Sequence, residues 1–103
     1  MNKYLQYLDI WKQSKSQIFQ SENFNVSVSE TNDTNKKSRY IDIESSDLLG
    51  RATLWESGEL ELAALNKHSG NDEIFKSCLI TRESQLDDEL NWLLSEIATY
   101  ENN

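Results

Sequence analysis

The chain has 103 residues, of which 37% are apolar and 27% are charged, and its net charge is −8. Domains usually hold roughly 100–150 residues, so we expect a single domain over residues 1–103, which excludes a two-domain enzyme or a (β/α)₈ barrel. An acidic surface repels phosphate backbones, which disfavours nucleic-acid binding. Neither a long apolar run nor an apolar leader segment is present, so we expect a cytoplasmic protein without membrane contact.

The charge is unevenly distributed along the chain. Residues 1–40 carry six basic and four acidic side chains, a net charge of +2, whereas residues 41–103 carry four basic and fourteen acidic side chains, a net charge of −10. Complementary fields speed encounter and fix orientation, so an acidic surface of this size suits a basic protein partner.

The first part of the chain predicts a helix followed by a strand. Apolar residues at steps of three and four predict an amphipathic helix over residues 2–21. Its apolar stripe comprises Tyr4, Tyr7, Leu8, Trp11, Ile18 and Phe19. The period then changes to two at Phe24, Val26 and Val28, which predicts a strand. Residues 30–38 are rich in turn formers, so we expect a loop with a mobile tip.

Four more strands follow, separated by short turns. The second alternates Arg39, Ile41 and Ile43 with Tyr40, Asp42 and Glu44; the third covers residues 49–55; the fourth alternates Leu60, Leu62 and Ala64 with Glu59, Glu61 and Ala63; the fifth covers residues 74–80. The fifth is apolar on both faces, which is typical of a central or helix-covered strand. We expect Gly50, Gly58 and Gly70 at or beside turns, where glycine takes positive φ without steric cost.

A second helix ends the chain. Ser84 is its predicted N-cap, and Asp87 and Asp88 would lie in its first turn, near the positive end of the helix dipole. Its apolar residues are Leu86, Leu90, Leu93, Leu94, Ile97 and Tyr100. Because the strand connections are too short for crossover helices, we predict an α+β fold. It comprises an N-terminal helix, a five-stranded antiparallel meander and a C-terminal helix, with the helices on one sheet face.

Residues suited to catalysis or metal binding are scarce. His68 is the only histidine and lies in a polar turn, which offers little burial to tune its pKa. Cys78 is the only cysteine and is interpreted as a small buried hydrophobe without a disulfide. Asp87 and Asp88, followed by Glu89, are interpreted as a solvated helix start rather than a metal site. We therefore predict no enzyme activity, no cofactor and no metal.

The predicted sheet has one face turned away from the helices. Because strand side chains alternate between faces, Asp42, Glu44, Glu59 and Glu61 would share it with Arg51, Thr53 and Trp55. Two interpretations stand about equal. The face is either an acidic binding surface with Trp55 as an anchor, or the solvated side of a one-sided sheet.

A sequence motif in the third strand carries a family resemblance. Gly50-Arg-x-Thr-x-Trp-Glu-Ser-Gly58, preceded by Tyr40-Ile-Asp-Ile-Glu44 and Leu8-Asp-Ile-Trp11, resembles the TriTu family of bacterial immunity proteins. The resemblance covers nearly the whole chain and implies a cytosolic antidote made beside a polymorphic or contact-dependent growth-inhibition toxin. The resemblance implies a monomer that binds the C-terminal toxin domain of a large secreted or surface protein in a 1:1 complex. It implies that the toxin is a basic nuclease and that binding blocks its active site or substrate entry.

The residues predicted to contact the toxin are Asp42, Glu44, Arg51, Trp55, Glu59 and Glu61. In this hypothesis the carboxylates stand in for nucleic-acid phosphates. An acidic secretion chaperone for an effector protein is the alternative, since such chaperones are also small, acidic α+β proteins, and a stable homodimer would favour it. An enzyme using Asp87 and Asp88 is a third and weaker hypothesis.

Overall fold

A computed structural model describes residues 3–31 and 37–102 of the chain. The helices are α1 Lys3–Ser14, α2 Ser16–Glu22 and α3 Glu83–Glu101, and the strands are β1 Asn25–Glu30, β2 Ser38–Glu44, β3 Leu48–Trp55, β4 Glu59–Asn66 and β5 Asp72–Leu79. This order confirms the predicted α+β meander. Residue 2 of the predicted helix and the predicted loop tip, at residues 32–36, lie outside the described residues.

The strands form one sheet in the order β1-β2-β3-β4-β5, and each strand pairs antiparallel with its neighbours. The prediction of a central fifth strand is therefore wrong, because β5 lies at the edge and pairs with β4 alone within the described sheet. Helices cover only one of its faces, where Ile74 and Cys78 pack against the core. Its second apolar row does not indicate burial. Phe75 and Leu79 in that row are exposed, with 64% and 55% of their surface accessible.

The helices cover one face of the sheet and bury a single hydrophobic core. Inward side chains from β2, β3 and β4 alternate with outward ones, as the period of two predicts. The core residues with no accessible surface include Leu8, Trp11, Ile41, Ile43, Leu48, Leu54, Leu62, Leu86, Leu90, Leu93 and Ile97. The opposite face, which we call the open face, carries the outward side chains of the five strands.

The predicted N-terminal helix is divided in two at Lys15. The carbonyl oxygen of Trp11 accepts both the hydroxyl of Ser14 at 2.8 Å and the amide of Lys15 at 3.2 Å. Beyond Lys15, Ile18 is exposed, whereas Phe19 is buried with its ring centroid 5.8 Å from that of Trp11. The inclusion of Ile18 in the stripe is therefore wrong.

The start of α3 also differs from the prediction. Arg82 is the N-cap residue and makes no side-chain capping bond, and Ser84 lies inside the first turn. Asp87 and Asp88 consequently lie one turn further along, and Glu83 is the acidic residue of the first turn. The predicted apolar positions from Leu86 to Ile97 are buried as expected.

A polar network joins α1 to α3 at the rim of the core. The Tyr7 hydroxyl donates to Asp87 Oδ1 at 2.6 Å, and Trp11 Nε1 donates to Asn91 Oδ1 at 2.9 Å. Asn91 Nδ2 in turn donates to Asp87 Oδ2 at 3.1 Å. Burial, the hydrogen bond to Asp87 and the charge of Asp87 together raise the pKa of Tyr7 to about 12. Each member of the network thus has a partner, as buried polar groups require.

Gly50 is not at a turn but within β3, facing α3. A Cβ at this position would lie 2.5 Å from Ile97 Cδ1 and 3.3 Å from the Ile43 carbonyl oxygen. The absence of a side chain lets α3 approach β3 closely. Gly58 and Gly70 do lie in turns with positive φ, at +99° and +77°, as predicted.

We expect Gly50→Ala to lower the free energy of unfolding by about 1–3 kcal/mol, because it overpacks a filled core. Ile97→Val removes Cδ1, so the double variant should lose less stability than the sum of the two single changes. Urea unfolding of the four proteins measures this coupling. Additive losses would show that Gly50 is not constrained by Ile97.

We expect Tyr7→Phe to change the alkaline stability of the protein. Tyrosine in an unfolded chain ionises near pH 10, so the folded state holds the Tyr7 proton more tightly, and this contribution is present below pH 10 and lost as the pH rises towards 12. The stability advantage of the wild type over Tyr7→Phe should therefore shrink over this interval, measured by urea unfolding at pH 8, 10 and 11.5. A constant difference would contradict the assignment.

Candidate functional site

The open face carries all the residues predicted to contact a partner. Ala52 and Leu54 are fully buried beneath the helices, so Arg51, Thr53 and Trp55 project outward from β3. The same alternation places Asp42 and Glu44 of β2 and Glu59 and Glu61 of β4 on this face. The structure thus brings the six predicted residues onto one surface, and their role in binding remains a prediction.

Asp42 is engaged by a cation within the sheet. It lies directly across the β2–β3 ladder from Arg51, whose Nε and Nη2 donate to its two carboxylate oxygens at 2.6 and 3.1 Å. The guanidinium also lies over the ring of Tyr40, with Cζ 4.1 Å from the ring centroid. The hydrogen bonds to Asp42 raise the pKa of Arg51 further above its already high value. Arg51 therefore neutralises one of the four predicted carboxylates.

Glu44 is also paired. Its Oε2 accepts a hydrogen bond at 2.9 Å from Nζ of Lys67, which comes from the turn between β4 and β5. Two cations therefore accompany the four predicted carboxylates of the open face. Its net negative charge is smaller than the sequence pattern alone indicates. Exposed ion pairs contribute only about 0–1 kcal/mol, so a partner can exchange them at small cost.

Glu61, Glu59 and Trp55 lie together near the turn between β3 and β4. Glu61 is centred between Thr53 of β3 and Ser77 of β5, and no ion pair engages it among the described residues. Glu59 lies across from Leu79. A shallow groove of about 580 Å³ is lined by Trp55, Glu59, Leu60, Glu61, Ser77, Cys78 and Leu79. Trp55 itself is half-buried rather than fully exposed.

The open face also has an apolar part that the sequence pattern does not predict. Leu49, Leu65, Phe75 and Leu79 are large, exposed apolar side chains on the outward rows of β3, β4 and β5. The two apolar rows of β5 carry a signal for it, but the same pattern is typical of a buried strand. Large exposed apolar areas rimmed by polar groups mark interaction sites in soluble proteins.

The side chains of His68, Cys78 and Asp87 each contact another polar side chain of the fold. His68 is exposed in its turn, with Nε2 3.2 Å from Asp47 Oδ1. Cys78 is half-buried, and its thiol lies 3.5 Å from Glu89 Oε2; burial and then the Glu89 hydrogen bond raise the pKa of that thiol. Asp87 belongs to the network with Tyr7. Within the described ranges, no group of three metal-ligating side chains is assembled.

This fold and surface define a class of protein: a small acidic α+β domain whose antiparallel sheet leaves one face uncovered by helices. The family model of the immunity protein TriTu matches the chain over residues 6–96. The chain therefore belongs to the TriTu family of immunity proteins, and its role is to neutralise a toxin. No curated protein matches the chain in a sequence comparison.

The matched region includes the whole sheet, most of the helical residues and the motif from Gly50 to Gly58. It begins within α1 and ends within α3, so it contains every strand of the meander. In the part of the chain that the structure describes, no helix is both long and apolar enough to cross a membrane.

Proposed function

We propose that this chain is a cytoplasmic, single-domain immunity protein that binds one cognate toxin domain and keeps that domain from its substrate. The observation that supports this proposal is the open face, which is left uncovered by the helices and combines exposed apolar side chains with carboxylates. Exposed apolar side chains beside charged ones are typical of interaction surfaces in soluble proteins. The protein would act by binding alone, without catalysis or a cofactor.

We propose that the toxin presents a basic surface, as a nuclease active site does. The chain carries a net charge of −8, and residues 41–103, which include β3, β4 and β5, carry most of the acidity. Opposite fields bring such partners together faster and in the correct orientation. Carboxylates in place of phosphates would then cover the toxin's active site or the entry to it.

Glu61, Asp42 and Glu44 have different parts in this proposal. Glu61 can meet a basic group of the toxin without giving up an ion pair within the chain. Asp42 and Glu44 would first exchange Arg51 and Lys67 for groups of the toxin. We therefore rank Glu61 above Asp42, Glu44 and Arg51 as a contact residue.

A protection experiment tests the proposed function. The toxin domain of the large protein encoded beside this chain's gene is induced in bacterial cells, with and without the chain. We expect growth only when the chain is present, and a 1:1 complex on gel filtration. Unprotected cells would contradict the proposal. A homodimer that instead holds the N-terminal segment of a secreted effector would identify a secretion chaperone.

A charge-reversal series tests the contact surface. We expect Glu59→Lys combined with Glu61→Lys to weaken toxin binding by roughly tenfold or more, since both changes place like charges against a basic partner. The control combines Asp88→Lys with Glu96→Lys on α3, which changes the net charge equally but away from the open face. Isothermal titration gives both affinities.

The comparison between the two pairs separates local contact from overall attraction. A larger loss for the open-face pair supports contact there. Equal losses would mean that the toxin senses only the total charge, and an unchanged affinity for the open-face pair would remove that region from the interface. Urea unfolding of each variant verifies that its fold is retained.

A further inference from the structure

The outer edge of β5 presents unpaired backbone groups. The amide of Ile80 donates to the carbonyl oxygen of Gly58 at 2.8 Å, so the backbone N–H of Ile80 points towards β4. In antiparallel strands, residues directed towards the partner alternate with residues directed away from it. Counting back along the β4–β5 register, Cys78 and Lys76 face β4. The N–H and C=O groups of Phe75, Ser77 and Leu79 therefore point to the free edge.

For one of these three residues, Leu79, a side chain covers the outward carbonyl group. The side-chain amide of Gln85 donates to the carbonyl oxygen of Leu79 at 2.9 Å, which agrees with the outward direction of that carbonyl. The backbone groups of Phe75 and Ser77 have no hydrogen-bond partner in the described part of the chain. The open edge is thus centred on these two residues.

The same residues send their side chains to the open face. Phe75 has 64% of its surface accessible and Leu79 has 55%, with the small Ser77 between them. Edge strands of soluble proteins are normally protected by proline, charge or a covering element. The chain contains no proline, and the one basic residue of β5, Lys76, projects to the helix side, where its Nζ bonds Glu89 at 2.9 Å.

The opposite edge of the sheet differs in chemistry. The amide of Thr31 donates to the carbonyl oxygen of Ser38, so the alternation directs Val26, Val28 and Glu30 to the free edge of β1. The two valines face the helices and pack against the core. On the open face, β1 presents Asn25, Ser27 and Ser29. An added strand would find apolar neighbours beside β5 and polar ones beside β1.

We infer that an extended, basic segment of the toxin adds to the free edge of β5 as a sixth strand. This inference rests on the proposed function and specifies how the partner is held. The backbone of the segment pairs with Phe75 and Ser77, and its side chains on the open face cover Phe75 and Leu79, a mode in which main-chain bonds supply affinity and alternate side chains supply specificity.

Charge on the neighbouring residues favours a basic segment over a second copy of this chain. Glu61 lies across from Ser77 and Glu59 across from Leu79, while Asp72 and Glu73 occupy the start of β5. Basic side chains along the added strand would meet these carboxylates. Two copies with a net charge of −8 each repel one another, which opposes pairing of β5 with itself.

Hydrogen exchange tests the pairing directly. Amide exchange is measured by NMR on the full chain, alone and in complex with the toxin domain encoded beside its gene. We expect the amides of Phe75 and Ser77 to exchange fast in the free protein and at least about tenfold more slowly in the complex. The amides of Lys76 and Cys78, which face β4, should be protected in both states, and that of Val28 should not change.

Variants at the edge supply a second readout. Ser77→Pro removes an amide that faces away from β4, so the ladder is kept while strand addition is blocked; Ser77→Ala is its matched control. Phe75→Ala is matched by Ile10→Ala, another exposed apolar residue with 59% of its surface accessible on α1. We expect the Kd for the toxin to rise by roughly tenfold for Ser77→Pro and Phe75→Ala, and by less than about twofold for the controls.

The outcomes separate the edge from the proposed function. Unchanged affinities together with unprotected Phe75 and Ser77 amides, in a chain that still binds toxin, would overturn strand addition and leave the proposed function standing. A wild-type chain that binds no toxin would overturn the proposed function itself. Concentration-dependent protection without toxin would identify a second copy as the occupant. If Ser77→Pro does not fold, Phe75→Ala and the exchange rates decide.

Discussion

The structure depends on one constraint, the shortness of the connections between its strands. Among the described residues, each strand leads into its neighbour without a crossover helix, so every pairing is antiparallel and the helices come from the two ends of the chain. Both ends pack on the same face. Arg39 shows how tightly this face is closed, since its Nη1 reaches from β2 to donate to the carbonyl oxygen of Leu5 at 2.7 Å and pairs with Asp9 at 2.9 Å. The other face is left to solvent and to partners.

The electrostatics of that open face separate attraction from contact. Arg51 neutralises Asp42 and Lys67 neutralises Glu44. Because these pairs reduce the local negative charge of the open face, the net charge of the chain acts mainly as a long-range field. Such a field governs how fast a basic partner arrives. Binding energy concentrates where large side chains lose water, so in the proposed complex we expect it at Phe75, Leu79 and their neighbours rather than at the ion pairs.

The sequence predicts the faces of the sheet better than the order of its strands. The alternation of Ile41 and Ile43, or of Leu60 and Leu62, depends only on local geometry, and it predicts correctly which side chains are buried. The position of β5 depends on pairing across the whole sheet. Apolar residues on both faces of a strand fit either a covered strand or an edge reserved for a partner, and the pattern alone does not distinguish the two.

Other differences between the predicted and observed structure come from contacts between residues far apart in the chain or from local backbone geometry. Gly50 resembles a turn residue in the sequence, yet its position is explained by Ile97, which α3 brings against it. Pairing of Asp42 with Arg51 requires the strand register. The interruption of the N-terminal helix at Lys15, with φ −105° and ψ 10°, is a local backbone feature that apolar periodicity does not record.

The motif that carries the family resemblance has a structural role that bears on the edge. Gly58 closes the β3–β4 turn by donating to the carbonyl oxygen of Trp55 at 2.9 Å, with a φ of +99° that favours glycine. Its own carbonyl oxygen accepts the amide of Ile80, just beyond the end of β5. A Cβ on Gly58 would approach the Ile80 carbonyl oxygen to 2.8 Å. The turn motif thus helps to fix the register of the edge strand to which we propose that the toxin segment adds.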